Sequence, residues 1–232
     1  MLINNVYIVT GGSSGIGKEI ARQLVMNFAT VVITGRDSEK LENVAEEINA
    51  FYFHADVTND EEIDALFEYT LSKFGRLDGV VNNAGIADSG PMEEVTRERL
   101  KNVFDINVFG AAMMGARAAA HFKKVKAGNI VNIASTAGVK GVKNGTVYSA
   151  SKFALRGMSQ CWQDELRPYN VRVILVNPSE VPTAFGTEDR VEKELQPKKL
   201  TPEEISHVVI SALKMDSRGF VPELSVFATN PF

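Results

Sequence analysis

The chain has 232 residues, 44% of them hydrophobic and 23% charged, with a formal net charge of −4. That length and composition fit one large α/β domain over residues 1–232 and exclude a disordered or fibrous chain. The acidic balance argues against nucleic acid or an anionic membrane as the main partner, and the single cysteine, Cys161, excludes an intrachain disulfide.

The N-terminal stretch MLINNVYIVTGG lacks a basic leader, and no apolar run approaches the ~18 residues of a membrane span, so a cytoplasmic protein is expected. Strand-like and helix-like runs then alternate to the end of the chain. VYIVT (6–10) is an apolar strand that stops at glycine, and a helix follows to about Phe28. TVVIT (30–34) is a second strand, SEKLENVAEEI a helix, and FYFHA (51–55) a third strand. Thr58 and Glu61 have capping-box spacing; the helix after them carries Ile63, Leu66, Phe67, Leu71 and Phe74 on one 3.6-residue stripe. LDGVVN (77–82) is the fourth strand, and an Ala- and Met-rich helix covers about 97–124. NIVNIAS (129–135) is the fifth strand, followed by a helix that begins near Tyr148; VRVILVN (171–177) is the sixth. Thr201, Pro202 and Glu204 announce one more helix, and LSVFA (224–228) a seventh, edge strand.

Near-continuous apolar strands separated by helices imply a mostly parallel sheet with helices on both faces. Right-handed crossovers make it a Rossmann-type, doubly wound α/β sheet. Ligands of such sheets bind beyond the C-terminal strand ends, and the unusual residues fall there. TGGSSGIG (10–17) joins the first strand to its helix: Gly11 permits a tight turn, Gly15 close approach of backbone to a ligand, and Gly17 close helix–sheet packing. The helix N-terminus offers N–H groups and positive dipole to a pyrophosphate. Ser13 and Ser14 add hydroxyl donors. Tyr148 and Lys152, four residues apart, share one helix face.

In order along the chain, TGGSSGIG, NNAG (82–85), Ser135 and YSASK (148–152) resemble the short-chain dehydrogenase/reductase family, over nearly the whole chain. The resemblance implies a nicotinamide cofactor, hydride transfer, and an oxidoreductase interconverting a carbonyl and an alcohol. Its substrate would be a small ketone or aldehyde, or a 3-oxoacyl group. In that pattern Gly11, Ser13, Ser14, Gly15, Ile16 and Gly17 cradle the phosphates. Asp56 meets the adenine amino group beside Val57, although Asp56 also stands close enough to a helix cap to serve that turn. Asn83, Ala84 and Gly85 line the cleft, while Asn82 either lines it or ties strands together.

Just past the second strand, Gly35 stands where the resemblance would put the acid of NAD enzymes, and Arg36 follows. Arginine suits a 2′-phosphate, so NADP(H) is favoured; the neighbouring Asp37 keeps NAD(H) open. After the sixth strand, Pro178, Val181 and Thr183 match the loop that meets the nicotinamide carboxamide, with Ser179 where the family has glycine. A Cβ at Ser179 is expected to crowd the ring face or shift the loop.

Reduction of a carbonyl needs a proton for the developing alkoxide and donors that hold its oxygen. A free tyrosine, with a pKa of about 10, needs help, and the Lys152 ammonium is expected to lower it. The catalytic set the resemblance implies is Asn107, Ser135, Tyr148 and Lys152. Lysine also binds the nicotinamide ribose, and Asn107 supports a water-linked proton path; by itself, Asn107 reads as a helix kink or surface residue. The family's dimer contact implies a homodimer or homotetramer through about 97–124 and 148–167. A sensor or scaffold that binds the dinucleotide without turnover is the alternative reading. His54, His121 and His207 lack metal-like spacing, and no metal is expected. The charged run 187–199 reads as a solvated helix or lid, and the segments 87–91, 139–144 and 184–199 shape the substrate space.

Overall fold

The structure, a computed structural model, describes residues 2–186, 194 and 196–231. Seven parallel strands form one sheet in the order β3-β2-β1-β4-β5-β6-β7. These are β1 (Val6–Thr10), β2 (Thr30–Gly35), β3 (Phe51–His54), β4 (Gly79–Asn82), β5 (Gly128–Ile133), β6 (Val171–Pro178) and β7 (Glu223–Val226). The expected seven strands are present with ends shifted by one or two residues, and β7 is an edge strand. The order reverses at β1: β2 and β3 build outward on one side, β4 to β7 on the other.

Strand register explains the two-sided core. Ile8 stands beside Val32 and Val80, Val80 beside Ile130, and Ile130 beside Val173. With period-2 alternation this row lies on one face, packed under α3 (Asp60–Phe74), α5 (Ala111–Val125) and the end of α6 (Thr146–Leu166) through Ile63, Leu66, Met114, Phe122 and Leu166. The next row, Val9 with Ile33, Val81, Val131 and Ile174, faces the opposite way. It meets α1 (Gly15–Met26), α2 (Ser38–Ile48) and α7 (Pro202–Leu213) through Ile20, Leu24, Leu41, Val44, Ile205 and Val209. Strands buried on both faces have no polar side to show, which is why they read as unbroken apolar runs.

Three local expectations change. The cap of α3 is Asn59, whose Oδ1 accepts from the N–H groups of Glu61 and Glu62; Thr58 instead donates from N and Oγ1 to Asp56 Oδ1, each at 2.9 Å. Helix α1 ends at Met26, and Phe28 sits in left-handed backbone at φ +68°. The long helix is three pieces: α4 (Arg97–Phe104), a π-helical turn (Asp105–Gly110), and α5. At α7 the expected cap is present, with Glu204 accepting from the Thr201 N–H at 2.7 Å. The reading of 187–199 as a helix or lid falls chiefly on 187–193 and 195, which lie outside the described residues.

Candidate active site

A cavity of about 820 Å³ runs along the C-terminal strand ends, across the β1/β4 reversal. Its walls include Gly11, Ser13, Ser14, Gly15, Ile16, Arg36, Asp56, Val57, Asn83, Ala84, Gly85, Ser135, Tyr148, Lys152, Pro178, Val181 and Thr183. Two expected site residues, Gly17 and Asn107, stand behind the wall and hold it.

One end is built from backbone. Gly11 and Gly15 take positive φ, +63° and +51°, which only glycine adopts without strain. A Cβ on Gly17 would collide with the Gly11 carbonyl and the Asn83 side chain. Asn83 is the tie: its Nδ2 donates to the carbonyls of Thr10 and Gly11, at 3.0 and 3.1 Å. Thr10 Oγ1 in turn accepts from the N–H groups of Asn83 and Ala84, both at 3.0 Å. The turn after β1 is thus locked to the end of β4 before any ligand arrives. Ser14 occupies the cap position of α1 with no side-chain bond to the helix. This cradle fits a pyrophosphate.

At the end of β2, Arg36 is exposed and its guanidinium has no ion pair among the described residues. Asp37 lines the same cavity and caps α2, its Oδ1 accepting from the Lys40 N–H at 3.0 Å. Lys40 also lines the cavity, a residue the motif reading missed; its signal was the cap, an Asp followed by SEK, which seats a lysine on the first turn beside Arg36. A Cβ on Gly35 would meet nothing closer than Leu41 Cδ2 at 3.8 Å. The position has room for an acid but carries none.

The other end is built from buried side chains. Asn107, 1% exposed, lies in the π turn. Its Oδ1 accepts from Ile86 N at 2.8 Å, and its Nδ2 donates to Ile86 O at 3.0 Å and Ser151 Oγ at 3.1 Å. It therefore clamps the loop after β4 to α6. Ser151 Oγ donates to the Tyr148 carbonyl at 2.7 Å, extending the clamp into the first turn of α6. Lys152, 3% exposed, donates from Nζ to Ile133 O at 3.0 Å, at the end of β5. Its Nζ lies 5.7 Å from the Tyr148 ring centroid. Asn82 proves to be the tie between strands, donating to Asn132 Oδ1 at 2.9 Å.

The electrostatics differ from the sequence expectation. Burial pushes the Tyr148 phenol up to about 12, with the Ser135 hydroxyl pulling modestly the other way. Burial also brings Lys152 down to about 8. Desolvation disfavours both charges at once and is the dominant effect on each group. The protein's own groups hold Tyr148 as a protonated phenol.

Ser179 lines the cavity. Its backbone avoids positive φ; its N–H donates to Val226 O at 2.8 Å, and its Oγ accepts from Ala228 N at 3.4 Å. The side chain extends the β6–β7 pairing by one residue. Thr183 packs beside Gly15, and Thr183 Oγ1 accepts from Phe185 N at 3.2 Å.

A parallel sheet with this reversal, a glycine cradle across it and a buried Tyr–Lys pair define a dinucleotide-binding oxidoreductase of the Rossmann class. The family model described as short chain dehydrogenase matches residues 5–194. An uncharacterized oxidoreductase of Staphylococcus aureus strain MW2 is 34% identical over 233 residues, covering 97% of this chain and 98% of its own. The chain belongs to the short chain dehydrogenase family and is an NAD(P)-dependent oxidoreductase. Among solved structures, an alcohol dehydrogenase from the archaeon Thermococcus sibiricus, complexed with 5-hydroxy-NADP, superposes with TM-score 0.89 at 29% identity, covering 97% of each chain. A 3-ketoacyl-(acyl-carrier-protein) reductase from Brucella melitensis, complexed with NADH, also gives 0.89 at 28% identity over the full length of both.

Proposed function

We propose that this protein is an NADP(H)-dependent reductase of small carbonyl compounds, with Tyr148 as the proton donor. The observation that carries the reading is convergence: Ser135, Tyr148 and Lys152 line one end of the cavity whose other end is the glycine cradle and Arg36. The turn after β1 would hold the pyrophosphate, Arg36 with Ser13 and Lys40 a 2′-phosphate, and Val181 and Thr183 the carboxamide. Asp37 lines the same wall and caps α2 through one oxygen, which favours the arginine as the selecting group. A relative bound to a 5-hydroxy-NADP supports the same choice, while one bound to NADH keeps NAD(H) as the alternative.

When bound, the reduced nicotinamide supplies a hydride to the carbonyl carbon. Tyr148 supplies the proton to the carbonyl oxygen, so C=O becomes CH–OH. Burial alone leaves that phenol a weaker acid than free tyrosine, so the transfer draws on the Ser135 hydroxyl and the neighbouring Lys152 ammonium. Ser135 donates to the same oxygen as its charge grows. Lys152, held at Ile133 and poised near pH 8, binds the ribose and reprotonates the phenol. Asn107 keeps loop and helix in register, its side chain already engaged with Ile86 and Ser151. The protein works as a cytoplasmic homodimer or homotetramer through α4, α5 and α6. Among the described residues no helix is long and apolar enough to cross a membrane.

Tyr148→Phe tests the reading. It should lower kcat/KM for carbonyl reduction by roughly 10²–10⁴-fold, the usual worth of a positioned acid, and leave NADPH affinity within a factor of about two, well below one hydrogen bond to a charged group. NADPH binding with no turnover of any carbonyl by the wild type would favour a sensor instead.

A further inference from the structure

Beyond Tyr148 the cavity is closed by Phe185. Its ring lies 5.8 Å from the Tyr148 ring, tilted by 57°, and it lines the cavity while remaining 38% exposed. The segment carrying it reaches across the cleft: Gly186 turns at φ +78°, and a Cβ there would stand 3.3 Å from Ala87, on the loop after β4. That loop is itself tied to the approach to α6, with Gly90 N donating to Asn144 O at 2.9 Å. Three loops therefore meet around the space in front of Tyr148, and Phe185 is the large side chain aimed into it. Ile86 adds a second apolar wall.

The charges nearby are already committed. Arg99 grips Asp88 through two bonds of 2.9 and 2.7 Å and also donates to the carbonyls of Ser89 and Glu94. Lys199 pairs with Glu180 at 2.6 Å. Lys152 lines the reacting end but is anchored to Ile133 O, and in the reading above its ammonium serves the ribose and the phenol. Lys140 and Lys143, between Ser135 and Tyr148, are exposed and take no part in the cavity wall. Among the described residues, no other cation lines the reacting end to receive a substrate carboxylate. Bringing a carboxylate there would strip its water without a partner.

We propose that the substrate is an uncharged carbonyl compound with an aromatic or bulky apolar group, and that Phe185 packs on that group and sets specificity. The inference rests on the reductase reading above and names its substrate class. The aromatic contact is an offset or tilted ring pair of the kind the two protein rings already make.

The test is a matched pair with one reacting carbonyl: ethyl benzoylformate, which is neutral, and benzoylformate, its carboxylate. NADPH oxidation by the wild type should favour the ester by about a hundredfold in kcat/KM, the scale of a carboxylate desolvated without a partner. In Phe185→Ala, the ratio of kcat/KM for acetophenone over acetone should fall by about tenfold, the worth of one ring contact; Phe185→Tyr should restore it. A wild type that prefers benzoylformate overturns the inference and leaves the reductase reading standing. So does a Phe185→Ala enzyme with an unchanged acetophenone/acetone ratio. NADPH binding with no turnover of any of the four compounds, or of a wider carbonyl panel, overturns both.

Discussion

The two ends of the cleft are made differently. The cradle after β1 is backbone: two glycines at positive φ, a threonine hydroxyl and the Asn83 amide, with its selecting charge, Arg36, exposed on the rim. The reacting end is side chain: Asn107, Ser151 and Lys152 are bonded to one another, to a strand end or to the Tyr148 carbonyl, and Asn107 and Lys152 are almost wholly buried. A rim charge can be exchanged without disturbing the fold. A buried polar group cannot, since its partners are left unsatisfied. Selectivity for the dinucleotide is thus separable from stability, whereas chemistry is not.

That contrast sets the size of three effects. The largest is at the rim. Arg36→Asp should swing the NADPH/NADH ratio of kcat/KM by roughly a hundredfold toward NADH, the worth of charge-assisted bonds to a phosphate. Its unfolding midpoint should match the wild type. A loss of stability comparable to the loss of selectivity would break the comparison.

The next effect is at the buried lysine and concerns pH. Lys152 has a folded pKa of about 8 against a reference of 10.5, so between these values the unfolded chain binds more protons. Stability therefore rises as pH increases through that window. The gain from pH 7 to 9.5 attributable to Lys152 should be about 2 kcal/mol, and denaturant unfolding of Lys152→Met should lack it. Tyr148 acts in the opposite sense at higher pH: with its folded pKa near 12, stability falls as pH passes from about 10 to 12. Identical pH profiles for wild type and Lys152→Met would mean that burial does not lower the pKa of the lysine.

The smallest effect is at Ser179. Ser179→Gly should reduce unfolding free energy by only about 1 kcal/mol, combining one long hydrogen bond and glycine's extra backbone entropy. Thermal unfolding would show it as a small shift, and a shift several times larger would make this loop part of the core.

The backbone end was legible in the sequence because its requirement is local. Only glycine fits positions such as Gly11 and Gly15, so the residue type announces the geometry. The strands were legible because burial on both faces removes polar alternation. The side-chain end was legible only in part. Tyr148 and Lys152 were placed by spacing, but their pKa directions depend on burial, which no local pattern reports. Asn107 looked like a kink; its partners, Ile86 and Ser151, lie 21 and 44 residues away. The α3 cap was misplaced by one residue because Thr58 and Asn59 are both good caps, and Asp56 claims the threonine. Lys40 and Phe185 belong to no motif and came into view only when loops met.

The π turn at Asp105–Gly110 has a consequence for the length of the chain. A π turn holds one residue more than the α turn it replaces. Removing the extra residue would close a plain α turn with α4 and α5 still in phase, so Met114, Ala118 and Phe122 would stay on the sheet. Asn107 would lose the wide turn that carries it to Ile86 and Ser151. The helix would keep its packing and lose its clamp, so an outer loop can grow or shrink by a residue while the count in this stretch is fixed by the site.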